Sequence, residues 1–252
     1  MDNTHDKSKL KFGLVGRNIS YSFSRGYFAK KFENENLNYS YVNFDLESID
    51  DLLDAINNTP NLKGLNVTIP YKEEVIPLLD KLNKRARKIG AVNTIQFKDN
   101  KLIGYNTDYY GFKNSLSPHL KNYHKCALIL GTGGASKAIA YALKKLNIEY
   151  TYVSRSKKMA VEYQYSDLDD NIITKHQIII NCTPLGTFPN IDHCPSIPYK
   201  AITKKHILFD LIYNPEQTKF LKKGHEKGAT TINGLKMLEL QAEKSWQIWN
   251  KP

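Results

Sequence analysis

Cys126-Ala127-Leu128-Ile129-Leu130-Gly131-Thr132-Gly133-Gly134-Ala135-Ser136 is the stretch on which the fold turns. Five apolar residues read as a buried strand, the glycines break it, and Gly134 to Leu146 continues with helical spacing. Strand, glycine turn and helix in that order open a doubly wound α/β sheet. Residues without a β-carbon let backbone N–H groups approach a pyrophosphate, and the positive end of the helix favours its charge. Gly131, Thr132, Gly133, Gly134 and Ala135 are therefore candidate contacts to a dinucleotide. The spacing departs from G-x-G-x-x-G, because Ala135 and Ser136 follow Gly134, so the glycines alone are equally readable as a tight turn without ligand.

The context downstream favours the dinucleotide. A second strand, Tyr150 to Ser154, ends about twenty residues on, where an adenosine ribose is held. An NAD site places Asp or Glu there, but the residues are Ser154-Arg155-Ser156-Lys157-Lys158. A guanidinium pairs with a 2′-phosphate and stacks on adenine, and Ser154 and Ser156 add hydroxyls, so the expected cofactor is NADP(H). Further strands are expected at Gln177 to Asn181 and Ile207 to Asp210.

Upstream, strand and helix also alternate: Phe12 to Val15, Ser24 to Glu35, Tyr39 to Phe44, a serine-capped helix from Ser48 to Asn57, and Leu62 to Ile69. A polar helix pair is predicted over Glu73 to Lys88. Val92 to Phe97 and Leu102 to Tyr105 flank Asp99-Asn100, which predicts a hairpin and an antiparallel edge. Ser117 to Lys125, with Pro118, is the candidate linker, and the helix Leu235 to Trp249 is expected to pack back on the first half.

Composition narrows the function classes. The 252 residues are 41% hydrophobic, enough for two modest cores. No apolar run approaches the roughly 20 residues of a membrane span, and Met1-Asp2-Asn3-Thr4-His5 is too polar for a signal peptide, so a cytoplasmic protein without membrane partners is expected. The net charge of +11 is scattered along the chain with no basic tract or nucleic-acid motif, which argues against a nucleic-acid partner. Cys126, Cys182 and Cys194 have no metal-ligand spacing; no metal site is expected, and the three read as core thiols.

In the first half, Asn66-Val67-Thr68-Ile69-Pro70-Tyr71-Lys72, Ala91-Val92-Asn93-Thr94 and Asn106-Thr107-Asp108 each place polar groups at the end of an apolar strand. Ligands bind at strand ends in open α/β sheets, so Asn66, Thr68, Lys72, Asn93 and Asp108 are candidates to converge on one polyhydroxylated molecule. Singly, each is as readily a cap or turn residue.

With Ser22-Phe23-Ser24, Gly131-Thr132-Gly133-Gly134-Ala135-Ser136, Asn181-Cys182-Thr183-Pro184-Leu185-Gly186 and Asn233-Gly234-Leu235 through Gln241, these segments resemble the shikimate dehydrogenases over Gly13 to Trp249. The resemblance implies an α/β fold in which an N-terminal substrate domain (1–108, completed by 235–252) is followed by a Rossmann-like NADP-binding domain (109–234). It implies reversible reduction of 3-dehydroshikimate to shikimate with NADP(H), by a monomer or homodimer acting on small molecules. Ser22 and Ser24 would bind the substrate carboxylate, and Asn66, Thr68, Asn93, Asp108 and Gln241 its ring hydroxyls. Tyr213 would contact substrate, Leu211 and Gly234 would lie at the nicotinamide end, and Ser154 to Ser156 would match the ribose loop. Lys72 and Asp108 would be the catalytic pair. Oxidising a secondary alcohol independently requires such a proton-transfer group, since hydride and proton leave separately.

Three positions depart from the family pattern: Arg25 replaces the proline after the second serine, Tyr109 the glycine after Asn-Thr-Asp, and Met159 a second arginine of the ribose loop. Lys157 or Lys158 offers a point charge in place of that fork, implying a weaker NADP preference. A quinate/shikimate dehydrogenase using NAD(H) and a non-catalytic NADP-binding sensor are the competing functions. Arg155 without an acidic neighbour speaks against the first, and the presence of Lys72 and Asp108 against the second.

Overall fold

The computed structural model describes residues 9–20, 22–156 and 161–251. The chain divides into two compact units, one running up to Thr107 and resuming at Ala242, the other spanning Asp108–Gln241.

The first unit contains β1 (Leu10–Gly16), α1 (Phe23–Asn34), β2 (Tyr39–Asp45), α2 (Leu52–Asn57), β3 (Leu62–Val67), β4 (Lys81–Leu82), α3 (Lys84–Ile89), β5 (Thr94–Lys98) and β6 (Lys101–Tyr105). Its six strands are ordered β2-β1-β3-β5-β6-β4. β1 pairs in parallel with β2 and β3, β5 runs antiparallel to both β3 and β6, and β4 is parallel to β6. Strand alternation in β1 sends Phe12 and Leu14 to one face, with Phe28, Phe32 and Trp249, and Val15 to the other, with Leu65, Tyr71 and Ile95. Asp99 and Asn100, at φ 50° and 56°, form the two-residue turn between β5 and β6.

The second unit contains α4 (Asp108–Leu116), β7 (Cys126–Leu130), α5 (Gly134–Lys145), β8 (Glu149–Ser154), β9 (Val161–Gln164), α6 (Asp170–Lys175), β10 (Ile178–Asn181), β11 (Ile207–Asp210), α7 (Lys219–His225) and β12 (Thr230–Ile232). Its sheet, β12-β11-β10-β7-β8-β9, is wholly parallel. Successive strands leave β7 in one direction and continue from β10 in the other, so the order reverses between β7 and β10, and ligands enter such sheets at the carboxyl ends beside that reversal. Helices cover both faces, which is why the strands are apolar on both sides: Ala127 and Ile129 pack with Phe112 and Ile139, Leu128 and Leu130 with Ile173 and Phe220. The last helix, α8 (Leu235–Trp249), supplies Met237 to the second unit's core and Ala242 and Trp249 to the first.

Four expectations from the sequence need correction. The helix pair over Glu73 to Lys88 is instead a set of turns, a 3₁₀ turn at Ile76–Leu78, β4 and the short α3. Pro77 removes a helical donor, and Asp80 accepts from Leu102 N at 2.7 Å, turning the chain along β6. The antiparallel strand β5 lies inside its sheet, because the two-residue β4 takes the edge. Ser117 to Lys125 is no free connector: His124 is buried, its Nδ1 accepting from Lys121 N at 2.9 Å and its Nε2 3.0 Å from Lys205 O. The three cysteines are only partly buried.

Candidate functional site

In the first unit the strand directions gather the candidate residues. β1, β2 and β3 run parallel and end at Gly16, Asp45 and Val67; the reversed β5 begins at Thr94 on the same edge, and β6 ends there at Tyr105. Thr68 and Lys72 follow β3, Asn93 precedes β5, and Asn106 and Thr107 follow β6. The Lys72 carbonyl accepts from Val92 N at 2.7 Å, which ties the lysine's backbone to the segment carrying Asn93. Thr68 is fixed through its N–H to Val15 O at 2.8 Å. A Cβ on Gly16 would meet the Thr68 methyl group at 2.5 Å, so close approach there requires glycine.

Ser22 and Ser24 come from the loop between β1 and α1. Asp45 accepts from Asn18 N and Ile19 N at 2.7 and 3.1 Å and holds that loop against β2. Ser22 occupies the N-cap position of α1 without a side-chain capping bond, while Ser24 is buried in the first turn. Arg25, the departure next to it, is exposed.

Asn66 and Asn93 are both buried and linked. Asn66 Nδ2 lies 3.2 Å from Asn93 O, 3.3 Å from Thr94 Oγ1 and 3.0 Å from Ser245 Oγ, and Tyr41 donates to Asn66 Oδ1 at 2.8 Å. Asn93 Oδ1 accepts from Thr107 N at 2.6 Å and its Nδ2 donates to Thr107 Oγ1 at 2.9 Å. Ser245 also lies 2.8 Å from Thr94 Oγ1 and 3.2 Å from Thr107 Oγ1. Tyr41, Thr94, Thr107 and Ser245 were not singled out from the sequence. One signal was legible: Gln241, Ser245 and Trp249 recur every fourth residue, which places a serine on the buried stripe of α8.

In the second unit the glycine loop joins β7 to α5. Gly131 has φ 102°, and a Cβ there would sit 3.1 Å from the Thr183 methyl, so the loop after β7 abuts the loop after β10 at the strand-order reversal. Gly133 is the N-cap of the twelve-residue α5, makes no side-chain capping bond, and a Cβ on it would meet nothing within 4 Å. Open backbone before an uncapped helix N-terminus fits a pyrophosphate. Thr132, Gly134 and Ala135 are partly exposed in the same turn. Ser154 ends β8, and Arg155 and Ser156 follow, both exposed; Gln164 Nε2 donates to Arg155 O at 3.2 Å. Lys157, Lys158 and Met159 lie outside the described residues.

Asn181 and Asp210, at neighbouring strand ends, brace the loops on this edge. Asn181 Nδ2 donates to Asp210 Oδ1 at 3.0 Å, while its Oδ1 accepts from Thr183 N and Oγ1 at 3.0 and 2.6 Å. Burial pushes the Asp210 carboxyl up to about 6, partly offset by donors from Thr218 Oγ1, Ile212 N and Asn181. Leu211 and Gly234 meet directly: a Cβ on Gly234 would collide with Leu211 O, and Gly234 N bonds Ile212 O at 2.9 Å. Tyr213, partly buried, follows on the same segment.

Asp108 opens α4 and is buried; Gly111, one turn later on the same face, packs directly on Met237 O and Gln241 of α8. Asp108 and Gln241 thus lie at one helix contact within the second unit, whereas Lys72 belongs to the first. The Tyr109 ring lies edge-on to Tyr141 of α5, with centroids 5.3 Å apart, and packs against the core.

Known proteins resemble this chain along most of its length. Residues 14–95 match the family model for the shikimate dehydrogenase substrate binding domain. A Methanococcus aeolicus protein named shikimate dehydrogenase (NADP(+)) is 40% identical over 97% of this chain and 93% of its own. A solved shikimate dehydrogenase in complex with NADP+ superposes with a TM-score of 0.84 at 35% identity, covering 96% of this chain and 90% of that one. The shikimate 5-dehydrogenase of Thermus thermophilus, in complex with NADP(H) and shikimate, gives a TM-score of 0.84 at 28% identity over 96% and 93% of the two chains. By these similarities, the chain belongs to the shikimate dehydrogenase family.

Proposed function

We propose that the protein interconverts 3-dehydroshikimate and shikimate with NADP(H), as a step of aromatic amino-acid biosynthesis, and does so in the cytoplasm as a monomer or homodimer. The observation that carries this reading is the gathering of Ser24, Asn66, Thr68, Lys72 and Asn93 at one sheet edge of the first unit. The second unit is read as the NADP-binding part, with Gly131 to Ala135 on the pyrophosphate, Ser154, Arg155 and Ser156 on the phosphorylated ribose, and Leu211 and Gly234 at the nicotinamide end.

NADP, when bound, accepts or returns the hydride. The remaining work falls to the chain's own groups. Lys72 Nζ takes the proton of the alcohol during oxidation and returns it to the ketone oxygen during reduction. Asp108 accepts from a ring hydroxyl and anchors the substrate. Ser22 and Ser24 donate to the substrate carboxylate, Asn66, Thr68, Asn93 and Gln241 hold ring hydroxyls, and Tyr213 contacts the substrate.

Assays of the purified protein with shikimate, quinate and a simple 2-hydroxy acid, each with NADP+ and NAD+, test the reading. Turnover should be fastest with shikimate and NADP+. Activity with none of the alcohols would refute an enzymatic role, and preference for quinate with NAD+ would move the chain to the other branch of dehydrogenases.

A further inference from the structure

We infer that Tyr41 and Ser245 are positioning residues that lock the Asn66 side chain with its amide oxygen turned to the substrate, so that Asn66 meets a hydroxyl proton and never donates. The inference rests on the reading of Asn66 as a substrate ligand.

The orientation of the amide follows from its neighbours. Asn93 O, 3.2 Å away, can only accept, so the group facing it is Nδ2. That nitrogen has two protons and three acceptors within 3.3 Å, Asn93 O, Thr94 Oγ1 and Ser245 Oγ, so both protons are used inside the protein. The oxygen has two lone pairs, and Tyr41 takes one at 2.8 Å. What remains for a ligand is the second lone pair, which suits an alcohol and disfavours a carbonyl or carboxylate at that point.

The two locking residues act from opposite sides. Tyr41 is buried, burial raises its phenol far above the ordinary value, and it therefore stays a protonated donor; Ser24 hydrogen-bonds the same phenol oxygen, so one tyrosine joins two candidate substrate ligands. Ser245 comes from α8 and is fully buried, with Thr94 and Thr107 on either side of its hydroxyl. Losing the Tyr41 hydroxyl leaves Oδ1 without its protein donor, and losing Ser245 Oγ removes an acceptor for Nδ2. Either change loosens the side chain, so that its oxygen is held less firmly where the substrate presents its proton, while Asn93 O still keeps Nδ2 turned inward.

Steady-state kinetics of Tyr41→Phe, Ser245→Ala, Asn66→Ala and the double variant Tyr41→Phe/Asn66→Ala test this. One hydrogen bond lost from the substrate side corresponds to about a fivefold rise in KM for shikimate in each single variant, with KM for NADP+ unchanged and kcat changed less than KM. In the Asn66→Ala background, Tyr41→Phe should add a smaller rise than it does alone, because the asparagine it orients is gone and only its bond to Ser24 is lost. A rise with Asn66→Ala but none with Tyr41→Phe or Ser245→Ala overturns the positioning role alone, as do effects that multiply in the double variant. An unchanged KM in Asn66→Ala overturns the ligand reading and the inference with it. Thermal melts of the four proteins separate these outcomes from loss of fold, since instability alone lowers active enzyme concentration without moving KM.

Discussion

Lys72 and Asp210 show how differently two ionisable residues in one chain are used. Lys72 is held by its backbone to Val92, with its side chain only partly buried. Lys72→Ala should lower kcat by about 10²–10⁴-fold while leaving KM for shikimate within a small factor, the range expected for loss of one proton-transfer group. Single-turnover hydride transfer, followed by the absorbance of the reduced nicotinamide, reads it directly. A kcat near wild type would remove Lys72 from the mechanism. Asp210 is instead sealed in, and its folded carboxyl, at about 6, lies above the unfolded value near 3.9. A raised folded value favours the folded state below about pH 4, and that contribution is lost as pH rises through about 6. Relative to Asp210→Asn, which does not titrate, the wild type should therefore lose roughly 3 kcal/mol between about pH 4 and pH 6.5 and none above, as read by urea denaturation. A flat difference would mean that the three donors cancel the effect of burial.

Helix contacts and loops set how these residues meet. A methyl group on Gly111 would run into Met237 O, a backbone atom that no rotamer change can move aside. Gly111→Ala should therefore part α4 from α8, cost about 1–3 kcal/mol in a thermal melt, and raise KM for shikimate, because Asp108 and Gln241 flank that contact. Gly131→Ala strains a φ of 102° beside Thr183, so its kinetic effect should fall on KM for NADP+. Elements of this kind were legible in the sequence to unequal degrees. Cys126–Leu130 and Ile207–Asp210 were read with their observed bounds because strands covered on both faces are continuous apolar runs. Lys81–Leu82, Val161–Gln164 and Thr230–Ile232 escaped notice because they are short and carry polar residues; each is a strand by virtue of the neighbour it pairs with. The site divides in the same way. Asn66, Lys72 and Asn93 sit in motifs, whereas Tyr41 and Ser245 lie 25 and 179 residues from the asparagine they touch, a distance that no local pattern spans.

For the molecule as a whole, the decisive segment is the end of α8. Trp249 stacks on Phe12 with centroids 4.9 Å apart, donates from Nε1 to Ile95 O at 3.0 Å, and lies so tightly on Gly64 that no side chain fits beneath it. Deleting residues 242–252 should leave the core around Phe12 and Phe28 open to water and strip Asn66 of Ser245; the truncated protein is expected to bind the dye ANS and show no shikimate turnover, while NADP+ binding by its second unit survives in a fluorescence titration. Equal activity in the truncated protein would contradict this account of the first core. During synthesis the same arrangement reverses the usual vectorial order. The residues up to Thr107 leave the ribosome early yet lack their closing piece until the second half of α8 is made, after its first half has completed the nucleotide unit, so the earlier-made unit is the last able to finish folding.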